Sequence, residues 1–359
     1  MAYITLDTKK LEYNFNYLDK LFEQRGISWA VVSKMLCGNK LYLSELLKFN
    51  IKQICDSRIS NLKTIKALNP NVETIFIKPP AKRTIPNVVK FADISMNTEF
   101  KTIQLLSEEA QRQNKIHKII IMIELGELRE GVMGEEIINF YEKVFELKNI
   151  EVIGIGTNLS CLYGVLPSHD KLIQLCLYKQ IIEVKFNRKL QYISGGSSVT
   201  IPLIFKHLLP KGINHFRIGE TLFLGTDVYN GKPFRQMYSD AFKLYAEIIE
   251  LSEKPTLPMG EMGTNVEGLS FDFKNNRTNN RTSIRAIVDI GLLDVESSHI
   301  TPTDKKISIV GASSDMIVLD VKENNKKYKV GDLIEFTMDY MGVLRVLNSK
   351  YIEKRIATG

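Results

Sequence analysis

Between residues 28 and 218 short apolar runs alternate with helical segments eight times, and few folds accommodate that pattern. The apolar runs lie near 28–34, 52–56, 73–77, 92–95, 117–124, 151–157, 191–194 and 214–218. Helical spacing marks the intervening stretches, among them 41–49, 100–113, 135–147 and 171–186. The clearest strand runs through Ile119, Ile120, Ile121, Met122 and Ile123. Continuous apolar runs suit strands buried on both faces, which are parallel strands, and eight strand–helix units predict closure into a (β/α)8 barrel of the TIM type. Ahead of the first unit, Asp7-Thr8 offers a helix cap. Leu11, Phe15, Leu18 and Phe22 follow at helical spacing, and the helix ends near Gly26.

After about residue 235 the texture changes. Short β-like runs at 242–251, 283–290, 306–310, 316–321 and 333–338 are separated by turn-rich stretches such as 254–258 and 275–280. The expected organisation is a barrel over 7–235 followed by a C-terminal all-β domain over 236–359. The strand at 1–6 precedes the barrel repeat and is expected to join the β domain. A chain of 359 residues is long enough for both.

Composition narrows the function. The formal charge of +7 comes from 48 basic against 41 acidic residues that are mixed along most of the chain. No basic patch interleaves with aromatics, so no nucleic-acid partner is expected. The local excess at 322–329, around Asn324 and Asn325, reads as a solvated hairpin tip. Cys37, Cys55, Cys161 and Cys176 lack metal-ligand spacing, which points to free thiols in a reducing compartment and no metal. With neither a signal-peptide pattern nor an apolar run of membrane-spanning length, a cytoplasmic protein without a membrane partner is expected.

The chemistry is expected where barrel strands end. The run Trp29-Ala30-Val31-Val32 stops at Ser33-Lys34, and a turn with Gly38 and Asn39 follows. A lysine at a barrel mouth, desolvated and so less basic, can form a Schiff base. Taken alone, Lys34 also fits a core strand simply reaching water. The seventh strand runs into Ser194-Gly195-Gly196-Ser197-Ser198, where glycines, hydroxyls and a following helix start suit a phosphate. The same residues also suit an ordinary turn. The eighth strand ends in Arg217-Ile218-Gly219-Glu220, and loops seven and eight are a recurrent phosphate site in such barrels. A lysine at strand one with a phosphate site at strands seven and eight suggests pyridoxal 5'-phosphate as cofactor.

These stretches, in this order, resemble the alanine-racemase-like, fold-type III pyridoxal-phosphate enzymes. The resemblance extends to 56–62, 92–97, 124–131, 311–315 and 351–354, and so covers nearly the whole chain. It implies a racemase acting at Cα of a small-molecule amino acid, ornithine before lysine or alanine. It implies that Lys34 carries the cofactor and that Arg217 faces the ring nitrogen. Ser197, the backbone N–H groups of Gly219 and Glu220, and Tyr340 match phosphate contacts. Arg129 matches an arginine that orients the substrate carboxylate, a task suited to its fork. Ser314 and Asp315 are implied as further substrate contacts, and a head-to-tail homodimer with composite sites is expected.

Without the resemblance, Arg129 reads as an ion-pair partner of Glu127 or Glu130, Tyr340 as a core or interface aromatic, and Glu220 as a solvated side chain. Three positions depart from the family pattern. Asn158 stands where the alanine enzymes have a histidine over the ring. The tyrosine usual after the lysine is missing, with Cys37 nearby. The tyrosine serving as second base is also missing, and Asp294 falls at or near its position, as a base, a side-chain anchor or a turn cap. Asp56-Ser57-Arg58 reads as a cap opening a helix at Ile59, with Arg58 either paired to it or reaching into the barrel mouth. Two alternatives share parts of the pattern. Basic-amino-acid decarboxylases prefer an acidic partner for the ring nitrogen, and non-catalytic cofactor-binding proteins stop after the barrel.

Overall fold

A computed structural model describes residues 2–266, 268, 270 and 281–357. The turn expected at 275–280 lies outside the described residues. The chain divides into two compact units: Lys9–Ser239, and Met1–Thr8 together with Asp240–Gly359.

The larger unit is a parallel barrel. Its strands are Ser28–Val32, Gln53–Asp56, Glu73–Phe76, Ile94–Asn97, His117–Met122, Ile150–Gly156, Tyr192–Ser194 and His215–Ile218, and each of the first six pairs with the next in sequence. Strand eight pairs with strand one, Arg217 opposite Ala30 and Ile218 opposite Val31. Strand seven reaches strand eight through an offset. Past Gly195, a separate segment Gly196–Ser197 pairs with Phe216 and Arg217. A Cβ on Gly196 would lie 2.3 Å from the Phe216 ring, so only glycine lets the chain pass there.

Alternate residues of the strands point into the barrel. On one side this interior is apolar, with Ala30, Val32, Cys55, Ile75, Ile94 and Met96 packed together. Burying each such side chain contributes roughly 1.5–3 kcal/mol, less for alanine. The other side, built on strands two, seven and eight, buries Gln53, Ser194, His215 and Arg217 instead.

The smaller unit carries an antiparallel sheet in the order Ile300–Pro302, Leu333–Met338, Phe242–Pro255, Thr282–Val288, Ile317–Lys322, Ser308–Ala312. Tyr3–Leu6 pairs antiparallel with the long strand, Tyr3 opposite Tyr245, and parallel with Glu353–Ile356. Two features differ from the sequence reading. The unit is not purely β: a helix spans Tyr340–Asn348, capped by Asp339, whose carboxylate accepts from the Gly342 amide, and it buries Val343, Val346 and Leu347. The lysine-rich stretch at 322–329 is an exposed turn but not a hairpin tip. The strands on either side pair elsewhere, Ile317–Lys322 with Thr282–Val288 and Leu333–Met338 with Phe242–Pro255.

Candidate active site

Strand one ends at Val32, and Ser33 leads into a tight turn over Lys34–Leu36. Ser33 is fully buried, and its hydroxyl lies 3.1 Å from the Cys55 carbonyl oxygen and 3.0 Å from the Asp56 carboxylate. That carboxylate also accepts from the Arg58 amide at 2.9 Å and from Asn61 Nδ2 at 3.1 Å. The cap of the helix Ile59–Leu68 is therefore Arg58 rather than Asp56, whose carboxylate serves the turn from two residues earlier. Burial pushes the Asp56 pKa up, against the pull of these hydrogen bonds. Gly38 has a φ of +72°, and a Cβ there would strike Asn61 Oδ1 at 2.5 Å. Lys34 itself is exposed.

On the adjacent strand, Arg217 is buried. Its Nη1 donates to the Ser194 carbonyl at 2.8 Å and to the Ser194 hydroxyl, and Nη2 donates to the Thr157 carbonyl at 2.7 Å. Two fixed carbonyl acceptors orient the guanidinium plane. Burial pulls its pKa down from the ordinary arginine value. Ser197 and Thr200 form a reciprocal capping box, and the Ser198 hydroxyl accepts from the Thr221 amide at 3.3 Å, tying loop seven to the helix after strand eight. That helix, Glu220–Leu224, starts after Gly219, where a Cβ would press on Val32 at 3.2 Å.

Loops five and six form the third part. Glu127 is buried and accepts backbone N–H bonds from Ser160, Cys161, Leu162, Tyr163 and Val165, at 3.1, 2.7 and 3.0 Å for the first, second and fourth and 2.9 Å for the fifth. Burial pushes its pKa up, but the N–H groups outweigh it and hold the carboxyl down to about 2. Sequence reasoning missed this role, because nothing near Glu127 in the chain supplies its partners. Arg129 forks onto its neighbour Glu130 and also reaches Cys161 Sγ. The pairing with Glu130 raises its pKa further. With its amide oxygen turned towards it, Asn158 accepts from Arg129 Nη2 at 3.0 Å and Nη1 at 3.3 Å. Of the two ion-pair partners open to Arg129 by sequence, the structure selects Glu130.

In the smaller unit the structure brings Asp294, Ser314 and Asp315 onto adjoining segments. The amides of Leu292 and Leu293 donate to the carbonyls of Ser313 and Ser314, each at 3.0 Å. A Cβ on Gly291 would lie 2.4 Å from the Ser314 carbonyl oxygen, so glycine permits the clasp. Asp294 accepts from the Ser349 hydroxyl at 2.7 Å. Tyr340 opens the helix Tyr340–Asn348 in the same unit.

Comparison with known proteins adds the history of this scaffold. A family model described as alanine racemase, N-terminal domain, matches residues 6–227. The chain belongs to the alanine racemase family. Enzymes of that family depend on pyridoxal phosphate. The chain is 39% identical over 354 residues to an ornithine racemase of Acetoanaerobium sticklandii, covering 98% of this chain and 99% of the relative. It is 30% identical over 351 residues to a lysine racemase of Thermotoga maritima, covering 98% and 97%. Among solved structures, alanine racemase from Bartonella henselae with covalently bound pyridoxal phosphate superposes with a TM-score of 0.75 at 19% identity, covering 99% of each chain. Among the described residues, no group of three or more His, Cys, Asp or Glu could hold a metal ion, and no helix is long and apolar enough to cross a membrane.

Proposed function

We propose that this chain is a pyridoxal-phosphate-dependent racemase that interconverts L- and D-ornithine. The observation that carries the reading is the neighbouring of Lys34, just past strand one, and buried Arg217 on strand eight, strands paired directly to each other. The full-length likeness to an ornithine racemase supports ornithine as the substrate.

The residues on the barrel rim fit the cofactor. Its phosphate needs several donors, and Ser197, together with the amides of Gly219 and Glu220, provides hydroxyl and N–H donors beside an arginine. Tyr340 is assigned to the same phosphate by family resemblance. When bound, the cofactor supplies electron withdrawal that acidifies the substrate Cα–H.

The other steps belong to the chain's own groups. Lys34 anchors the cofactor and its amine exchanges the proton on one face of Cα. Arg217 would hold the cofactor ring, and because a guanidinium keeps its proton it would offer a hydrogen bond without transferring charge. Such a contact would limit electron withdrawal and would favour prompt return of the proton over loss of carbon dioxide. Arg129 binds the substrate carboxylate, exchanging the fork of Glu130 for that of the ligand, and Asn158 steadies the guanidinium. Asp294 of a partner subunit acts on the opposite face of Cα, or binds the distal ammonium. The active species is a head-to-tail dimer with composite sites.

Incubation of the purified holoenzyme with L-ornithine, L-lysine and L-alanine tests the reading. Optical rotation should fall to zero fastest with ornithine, with no carbon dioxide released. Carbon dioxide release would favour a decarboxylase, and no change with any substrate would favour a non-catalytic cofactor carrier.

A further inference from the structure

A continuous line of side chains leads from Arg217 through the barrel interior to a carboxylate. Arg217 Nη1 donates to Ser194 Oγ. Ser194 Oγ lies 2.6 Å from His215 Nδ1, and His215 Nε2 lies 3.0 Å from Gln53 Oε1. Gln53 Nε2 then donates to the Glu73 carboxylate at 2.6 Å and to the Tyr192 hydroxyl oxygen at 3.2 Å. Ser194, His215, Gln53 and Arg217 are all buried, whereas Glu73 is half-exposed at the start of strand three and lies 3.8 Å from Lys118.

Each link has only one workable direction. A carboxylate only accepts, so Gln53 turns its NH2 towards Glu73 and its carbonyl towards His215. Nε2 of His215 must then carry a proton to donate. Burial, and secondly the Arg217 charge, push the His215 pKa down to about 3, so the ring is neutral and Nδ1 is an acceptor. The Ser194 hydroxyl donates to Nδ1 and turns its lone pairs to Arg217, which can only donate.

We propose that His215 and Gln53 are positioning residues for Arg217, anchored by Glu73 in a hydrogen-bond chain of single polarity that runs Arg217, Ser194, His215, Gln53, Glu73. The chain gives the buried cation a carboxylate terminus at the start of strand three without placing a negative charge beside the ring nitrogen. The functional part of this inference rests on the racemase reading. Its geometric part concerns this chain alone.

The test uses holoenzyme carrying 15N-labelled histidine, of which the sequence has five, with the His215 signals assigned by their loss in His215→Asn. The wild type should show the neutral ring protonated at Nε2. Glu73→Lys replaces the acceptor by a donor, so Gln53 must turn over and the His215 proton should move to Nδ1. The displaced serine should then shift the absorption of bound pyridoxal phosphate and lower kcat for ornithine about tenfold with KM nearly unchanged, the scale of one lost hydrogen bond. Glu73→Gln keeps an acceptor and should retain the wild-type tautomer and most of kcat. A wild-type ring protonated at Nδ1, or a Glu73→Lys ring unchanged from wild type, overturns the polarity. A tautomer that moves while absorption and kcat stay fixed overturns the positioning role. The tautomer is read without substrate, so absence of ornithine turnover would sink the racemase reading and leave this measurement intact.

Discussion

The Ser33 hydroxyl lies 3.0 Å from the Asp56 carboxylate, which fixes the residue before Lys34 to the second barrel strand. Removing that acceptor should disturb both stability and cofactor loading. Asp56→Ala leaves the Arg58 amide, Asn61 and Ser33 short of a partner, an expected loss of about 2–4 kcal/mol in denaturant unfolding. Asp56→Asn keeps an acceptor oxygen and should lose under about 1 kcal/mol. The wild-type carboxyl is raised by burial, so its ionisation is costlier folded than unfolded. Stability should therefore improve as pH falls through the folded pKa towards the ordinary carboxylate value, and Asp56→Asn should flatten that part of the profile. A flat wild-type profile beside an unchanged variant would count against the assignment.

Lys34 is expected to be the residue that holds the cofactor. Holoenzyme should absorb in the visible, and borohydride followed by peptide mass analysis should find the reduced adduct on Lys34. Lys34→Ala should lose at least about a thousandfold in kcat, since one group serves as both anchor and base. Trapping on a different lysine would reject the role.

Glu127 is held down to about 2 by five backbone amides that outweigh its burial. Its contribution to holding the segment 160–165 is present above the ordinary glutamate value of 4.5 and lost as pH falls towards about 2. Glu127→Gln turns an NH2 against amide donors and should weaken the loop by about 2 kcal/mol. Hydrogen exchange should then accelerate at 160–165 and not in the barrel strands. Uniform acceleration would mean that the carboxylate supports the whole unit instead.

Asp294 separates two mechanisms. As the second base, its replacement in Asp294→Asn should abolish racemisation while one enantiomer still exchanges its Cα proton with solvent through Lys34. As a side-chain anchor, the same variant should keep exchange on both faces and lose preference for ornithine over alanine. Wild-type enzyme that racemises alanine faster than ornithine would defeat both readings.

Composite sites predict complementation. Lys34→Ala and Asp315→Ala preparations, each nearly inactive, should regain part of the activity when mixed under conditions that allow subunits to exchange. The expected ceiling is about a quarter of wild type, because about half of the dimers in an equal mixture are hybrids and only one of the two sites in each hybrid is intact. A fully active monomer by light scattering at assay concentration would exclude the arrangement.

Local sequence determined the eight barrel strands and the ends at which Lys34, Ser197 and Arg217 stand. Strand periodicity and helix spacing are short-range properties, set by which side chains alternate towards a core. The switch to short β runs after about residue 235 was legible for the same reason. Legibility failed where a segment's fate depended on distant partners. The runs around 317–322 and 333–338 read as neighbours joined by a tip, yet each found a different strand to pair with. The helix Tyr340–Asn348 was hidden in a region whose strand signals dominated, although its Asp339 cap and the spacing of Val343, Val346 and Leu347 were available. His215 and Arg217, two apart on one strand, were bound to share a face. That the histidine meets Gln53, 162 residues away, was decided only in three dimensions. The same holds for Glu127, whose partners lie 33 to 38 residues further on. Buried polar groups must find partners wherever the closed barrel brings backbone or side chains together, and no local pattern encodes that meeting.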